Sequence, residues 1–252
     1  MNSGDWNKFV TTRERFRLVT EELAHSLPKL KDIQQKLADS RSETSYTVET
    51  PVVYNSALDS ITVNDEIKLI LVADNPGRRE QAAENKRYLA GPSGKIARNF
   101  FLNNPALGID FLKNVIILNK TPIHSPRTNE LRRLVQLEES SKGTASRLKQ
   151  HMEESQKKMA QLLLEFHEAL NVPVFIIGYS EMKKGGIFEI YTERLKELYA
   201  DKPKLYKQLF FFRHFSMNQF TIDLKKQSLP KETTAQTLKR IGTLYRERIL
   251  NR

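Results

Sequence analysis

Four short apolar runs, at residues 68–73, 114–118, 172–177 and 209–212, constrain this chain more than any other feature of it. They show no polar alternation and are too short for core helices, so they read as strands covered on both faces, the habit of parallel sheets. Helical periodicity fills the intervals, at about 93–103, 147–170 and 187–199. Strand–helix alternation of this kind predicts an α/β domain of three α/β/α layers around a central four-stranded parallel sheet. No run approaches the eighteen apolar residues of a membrane span, and the start, MNSGDWNKF, has no signal-peptide core. A monomer that avoids membranes and works in the cytoplasm is therefore expected, at the nucleoid if it is bacterial.

Residues 1–55 are expected to be a helical N-terminal extension and connector, and residues 56–252 the α/β domain. In the extension, Phe9, Phe16, Val19, Leu23, Leu27, Leu30, Ile33 and Leu37 recur at helical steps, with Pro28 as a break. Residues 40–55 are β-branched and turn-rich, as an extended connector would be. The charged helical stretch at 127–170 reads as an insertion. The chain has no cysteine, which excludes disulfides, thiolate zinc sites and cysteine-held iron–sulfur clusters. Its histidines lack metal-ligand spacing, so no metal or other cofactor is expected. Of the net charge of +11, residues 203–252 carry +8, eleven Lys or Arg against Asp223, Glu232 and Glu247. Such a surface suits phosphates, and it equally suits a solvated face without a partner.

Ligands of open parallel sheets sit beyond the carboxyl ends of the strands, so the residues just past each run carry the most weight. The first run enters Ala73-Asp74-Asn75-Pro76-Gly77, where proline and glycine fix the Asn75 side chain in a turn. Leu89-Ala90-Gly91-Pro92-Ser93-Gly94-Lys95 then opens a helix, whose N-terminus offers free N–H groups. It is not a Walker A loop, which requires Gly at Leu89 and Ser or Thr at Ile96. The second run ends in Asn119, whose amide could read a base edge or cap the next loop. The third ends in Gly178, expected to serve packing. The fourth ends in Arg213-His214-Phe215-Ser216-Met217-Asn218, and His214 alone of five histidines directly follows a predicted strand.

In this order the motifs resemble the uracil-DNA glycosylase superfamily over about 150 residues, most specifically at Asp74 to Gly77 and His214 to Ser216. The resemblance implies base excision from DNA. Asn75 falls where the water is oriented, Asn119 where a pyrimidine is read, His214 where charge on the departing base is stabilised, and Ser216 where a phosphate is held. Asp74 is a neighbouring carboxylate for catalysis. Leu89 replaces the phenylalanine that stacks on the base, with Tyr88 adjacent to serve instead. Gly91, Ser93, Lys95, Ser216, Met217 and Asn218 are expected at the DNA, with Met217 or Asn218 as a wedge. Ala73 and Phe215 replace the family's glycine and proline. Two other functions remain open: a DNA-binding protein without excision, or an enzyme acting on a nucleotide with this fold.

Overall fold

The computed structural model describes residues 1–40, 45–142 and 147–250. Parts of the expected connector (41–44) and insertion (143–146), and the last two residues, lie outside the described residues. In chain order the elements are α1 (Ser3–Ser26), α2 (Leu30–Asp39), β1 (Leu69–Ala73), α3 (Pro92–Leu102), β2 (Val115–Asn119), α4 (Glu130–Lys142), α5 (Arg147–Leu170), β3 (Val174–Ile177), α6 (Glu189–Leu198), α7 (Pro203–Tyr206), β4 (Leu209–Phe212), α8 (Gln219–Gln227) and α9 (Thr234–Leu250). The strands form one sheet in the order β2-β1-β3-β4, and every pairing is parallel. Ala73 pairs with Asn119, and Ile177 with Phe212, so the carboxyl ends of neighbouring strands are level.

The expected α/β class with a four-stranded parallel sheet is what forms, because the apolar runs are buried on both sides. On one face Phe175 packs against Phe210 and Phe212, Phe212 against Phe220 of α8, and Phe220 against Phe100 of α3. Helix α9 lies on β4 at Gly242, where a Cβ would come within 2.6 Å of Phe210 Cβ. The other layer is built by α5 with α1 and α6 packed along it.

Two expected boundaries look different in three dimensions. Helix α1 is part of the core rather than an appendage: Phe9 and Phe16 are fully buried, and Phe9 meets Phe166 of α5 at 5.3 Å between ring centroids. Each buried phenylalanine contributes roughly 1.5–3 kcal/mol of transfer free energy. Helix α5, expected within an insertion because of its charge, supplies the crossover from β2 to β3; Leu148, Met152, Met159, Leu162, Leu163 and Phe166 form its buried stripe.

The chain leaves β1 for α3 on one face and leaves β3 for α6 on the other. The crevice outside these two strands is therefore the point where the winding reverses, the usual ligand position in such sheets.

Candidate active site

Asp74 follows β1, Asn119 ends β2 with Lys120 directly after it, Gly178 follows β3, and His214 stands two residues past β4. These positions line the mouth of the sheet across its full width, three inter-strand steps or about 14 Å.

At the centre is a buried ion pair. Lys120 is fully buried, and its Nζ donates to Asp74 Oδ1 at 2.5 Å and to the Ile177 carbonyl at 2.5 Å. Thr128 Oγ1 donates to the other Asp74 oxygen at 3.0 Å. The Phe188 ring lies 5.0 Å from the ammonium. Burial lowers the Lys120 pKa, and the Asp74 carboxylate opposes that shift. Gly178 makes the pair possible. It sits at φ +78°, and a Cβ there would lie 2.5 Å from Asp74 Oδ1. Its expected role in packing is therefore replaced by clearance for a carboxylate. Asp74 has both oxygens engaged, one by Lys120 and one by Thr128, and is 6% exposed, so it is poorly placed to take a proton from a water in a cleft, as a general base would.

The Asn75 turn is held from behind. Asn75 Nδ2 donates to the Ser125 carbonyl and to Ser125 Oγ, both at 3.0 Å. Its Oδ1 accepts no hydrogen bond among the described residues. The carbonyl of Pro76 accepts from Ser125 N–H and from His124 Nδ1, the latter at 2.9 Å. Tyr46 Oη then lies 2.8 Å from His124 Nε2, so the ring is neutral with its proton on Nδ1. Burial pushes the His124 pKa down to about 4. Gly77 lets the Glu80 carboxylate close in on its own N–H, and Glu80 also accepts from Gly91 N–H at 3.4 Å. Gly91 caps α3, so an internal carboxylate already takes the cap N–H of the helix expected at the DNA. Burial raises the Glu80 pKa.

Asn119 is 2% exposed, and its side-chain amide makes no hydrogen bond among the described residues; Oδ1 is fully shielded from solvent. A buried acceptor left unpaired costs roughly 1–3 kcal/mol, which is unusual enough to require a reason.

His214 is half-buried. Its Nδ1 accepts from Ser216 N–H at 3.0 Å and lies 2.8 Å from Ser216 Oγ. A backbone N–H can only donate, so the neutral ring carries its proton on Nε2, which has no acceptor among the described residues. Burial lowers the His214 pKa; Asp74 opposes this and Lys120 adds to it. The ring is thus a neutral donor near the ion pair. Ser216, expected at a phosphate, orients this ring. Phe215, in place of the family's proline, is fully buried against Phe220 at 4.5 Å. Met217 and Asn218 both adopt left-handed backbone (φ +51° and +56°) beside α3, and Met217 is 78% exposed.

Tyr88 does not serve as a stacking platform. It is 3% exposed, tilted against Phe16, and its hydroxyl donates to the Val53 carbonyl at 2.6 Å. Leu89 (φ +53°) is half-buried, with its carbonyl against Gly94. Ser93 and Lys95 lie on the first turn of α3, and Lys95 is exposed. Sequence reasoning missed Lys120, His124, Thr128 and Glu80. The one cue was the dense polar run Asn119-Lys120-Thr121-Pro122-Ile123-His124-Ser125 after an apolar strand.

The C-terminal cations are partly spoken for. Arg240 makes a bidentate bond to Glu232, both contacts at 2.7 Å. Arg246 is 5% exposed and bonds Glu247 and the carbonyls of Tyr206 and Leu209. No three potential metal ligands cluster among the described residues. No helix among them is long and apolar enough to cross a membrane. No model of a known protein family matches this chain, and no curated protein shows significant similarity to it.

Proposed function

We propose that this protein hydrolyses the N-glycosidic bond of a uracil-like or related damaged base in DNA, with the base seated at the carboxyl end of the sheet. The observation that carries this reading is the buried, unpaired amide of Asn119, placed at the same sheet mouth as the free Nε2–H of His214. An amide offers both donor and acceptor and so complements a pyrimidine edge. A ligand that brings its own polar groups to this amide would satisfy it.

The chemistry follows from the geometry. Cleavage places negative charge on the departing base and positive charge on the sugar. A neutral donor already oriented by Ser216 stabilises that base charge without reorganising. Asn75 is anchored through its Nδ2, and its open Oδ1 can align a water; alignment suffices against an electron-poor sugar. Asp74 acts as a positioning residue that holds Lys120 and Thr128, rather than as the base that the sequence suggested. The cost of unstacking the target, roughly a few kcal/mol, falls for mismatched or single-stranded sites.

The burial of Tyr88 removes the expected stacking platform, and this favours a second reading, DNA binding without excision. The test is to incubate the protein with oligonucleotides carrying uracil and other altered bases, measuring both free base and alkali-labile abasic sites. Base release that His214→Ala abolishes supports excision. Tight binding with no release from any lesion leaves the binding reading.

A further inference from the structure

Beside the outer edge of β2 runs a groove of about 530 Å³, reaching from Gly91 at the carboxyl end of the sheet to Lys113 at its amino end. Its lining holds five cations, Arg79, Arg87, Lys95, Arg98 and Lys113, and no carboxylate. All five are exposed, and none forms an ion pair or side-chain hydrogen bond among the described residues. The other clefts differ. A larger one, about 790 Å³ between α3, α8 and α9, holds one lysine, Lys225, and one glutamate, Glu232. The cleft between α5 and α6 sets three carboxylates, Glu154, Glu193 and Glu197, among its four cations, Arg15, Lys157, Lys158 and Arg194. A surface that gathers cations without counter-charges repels itself, so this concentration points to a polyanion.

We infer that the groove is the track of a single DNA strand, with the five cations on its phosphodiester backbone. The inference rests on the proposed nucleic-acid function and adds where the strand runs. Continuity supports it: Glu80 joins Gly91, at the head of the groove, to Gly77 of the Asn75 turn. The head of the groove therefore lies one side chain away from that turn. Length supports it as well, since five residues of β2 span about 16 Å, room for a few phosphates. Shape selects a single strand. The cations rim a concave channel floored by Ile61, Leu89 and Ile116, whereas a duplex presents a convex cylinder. A basic groove that tracks the backbone is one of the two means by which single strands are held without sequence preference.

The test compares fluorescence-anisotropy titrations of an oligothymidylate across salt concentrations, using full-length protein. The triple variant Arg87→Ala/Arg98→Ala/Lys113→Ala removes three exposed groups. It should weaken binding at least tenfold and flatten the slope of log K against log salt by about 2, at roughly 0.7 per phosphate contact. The triple Lys225→Ala/Lys226→Ala/Lys239→Ala should leave the slope unchanged. Circular dichroism melts confirm that both variants are folded. An unchanged slope in the groove variant overturns the inference, as does tighter binding of duplex DNA or RNA than of the single strand. Base release separates the two claims. Excision with intact binding in the groove variant sinks the track alone; a groove-dependent binder that never releases a base sinks excision alone.

Discussion

Lys120 and Asp74 form an ion pair, 2.5 Å apart and shut off from solvent, between the carboxyl ends of adjacent strands β1 and β2. The backbone reinforces it, because Lys120 N–H donates to the carbonyls of Ala73 and Asp74. Removing one partner strands the other charge in the interior. Lys120→Met should therefore cost on the order of 3–5 kcal/mol, and Lys120→Met with Asp74→Leu should recover most of it. Urea denaturation of the four proteins in the cycle measures this directly. Equal losses in the single and double variants would mean that the pair contributes through packing alone.

Acid should destabilise the fold through His124. Its pKa is about 4 when folded, against 6.5 when free, because burial disfavours the charged ring. Between these values the unfolded chain binds a proton that the folded chain refuses. Stability from this group is thus complete above about 6.5, is lost as pH falls toward 4, and changes no further below that. The integrated effect is about 3 kcal/mol. Burial lowers the pKa of His167 and His214 too, and both act in the same direction. Urea midpoints for the parent and His124→Gln at pH 7.5, 5.5 and 4.5 provide the check. The variant should start less stable, through loss of the Tyr46 and Pro76 bonds, and fall less steeply. Parallel curves would contradict this.

These two features mark the limit of what was legible in the sequence. The strands could be read because both faces are covered, which makes each a continuous apolar run. Asn119 and His214 could be singled out because they follow such runs. Lys120 could not, since nothing local distinguishes a lysine that will be buried; its partner is 46 residues away, and the glycine that clears its path follows another strand. Helix α5 carries two readings, and its periodicity at 147–170 does mark a helix between strands. Its charged face dominates the composition and suggested an insertion, while its stripe from Leu148 to Phe166 already had the spacing of a core helix. The basic C-terminus was legible only as a total: counting charges does not show that Arg240 and Arg246 are held internally by Glu232 and Glu247.

Asn119 separates function from stability. If its unpaired Oδ1 is kept for a ligand, Asn119→Leu should leave the fold unharmed or more stable by about 1 kcal/mol, because a buried acceptor without a partner disappears. The same change should abolish base release. Asn119→Asp keeps the size but replaces the amide donor with a carboxylate, so it should alter which base is accepted. Chemical denaturation and a panel of lesion oligonucleotides test both. A loss of stability above about 1 kcal/mol in Asn119→Leu, with base preference unaltered, would make Asn119 a structural cap.

His214 and Asn75 should carry the reaction while contributing little to affinity. His214 is held by Ser216 through Nδ1, and its Nε2–H is the only donor the ring can aim at a base. His214→Ala removes it, and losing one preorganised donor typically slows chemistry by a hundred- to a thousandfold. Ser216→Ala should be milder, because the backbone N–H still fixes the tautomer. Asn75→Ala frees the attacking water and should also be slow. The phosphate contacts lie on other residues, so DNA affinity should change less than about twofold in all three. Single-turnover excision alongside equilibrium binding tests the set. Parental rates in both His214→Ala and Asn75→Ala would refute the mechanism. A rate in Ser216→Ala as low as in His214→Ala would shift the role of His214 from donor to a member of a hydroxyl-bearing pair.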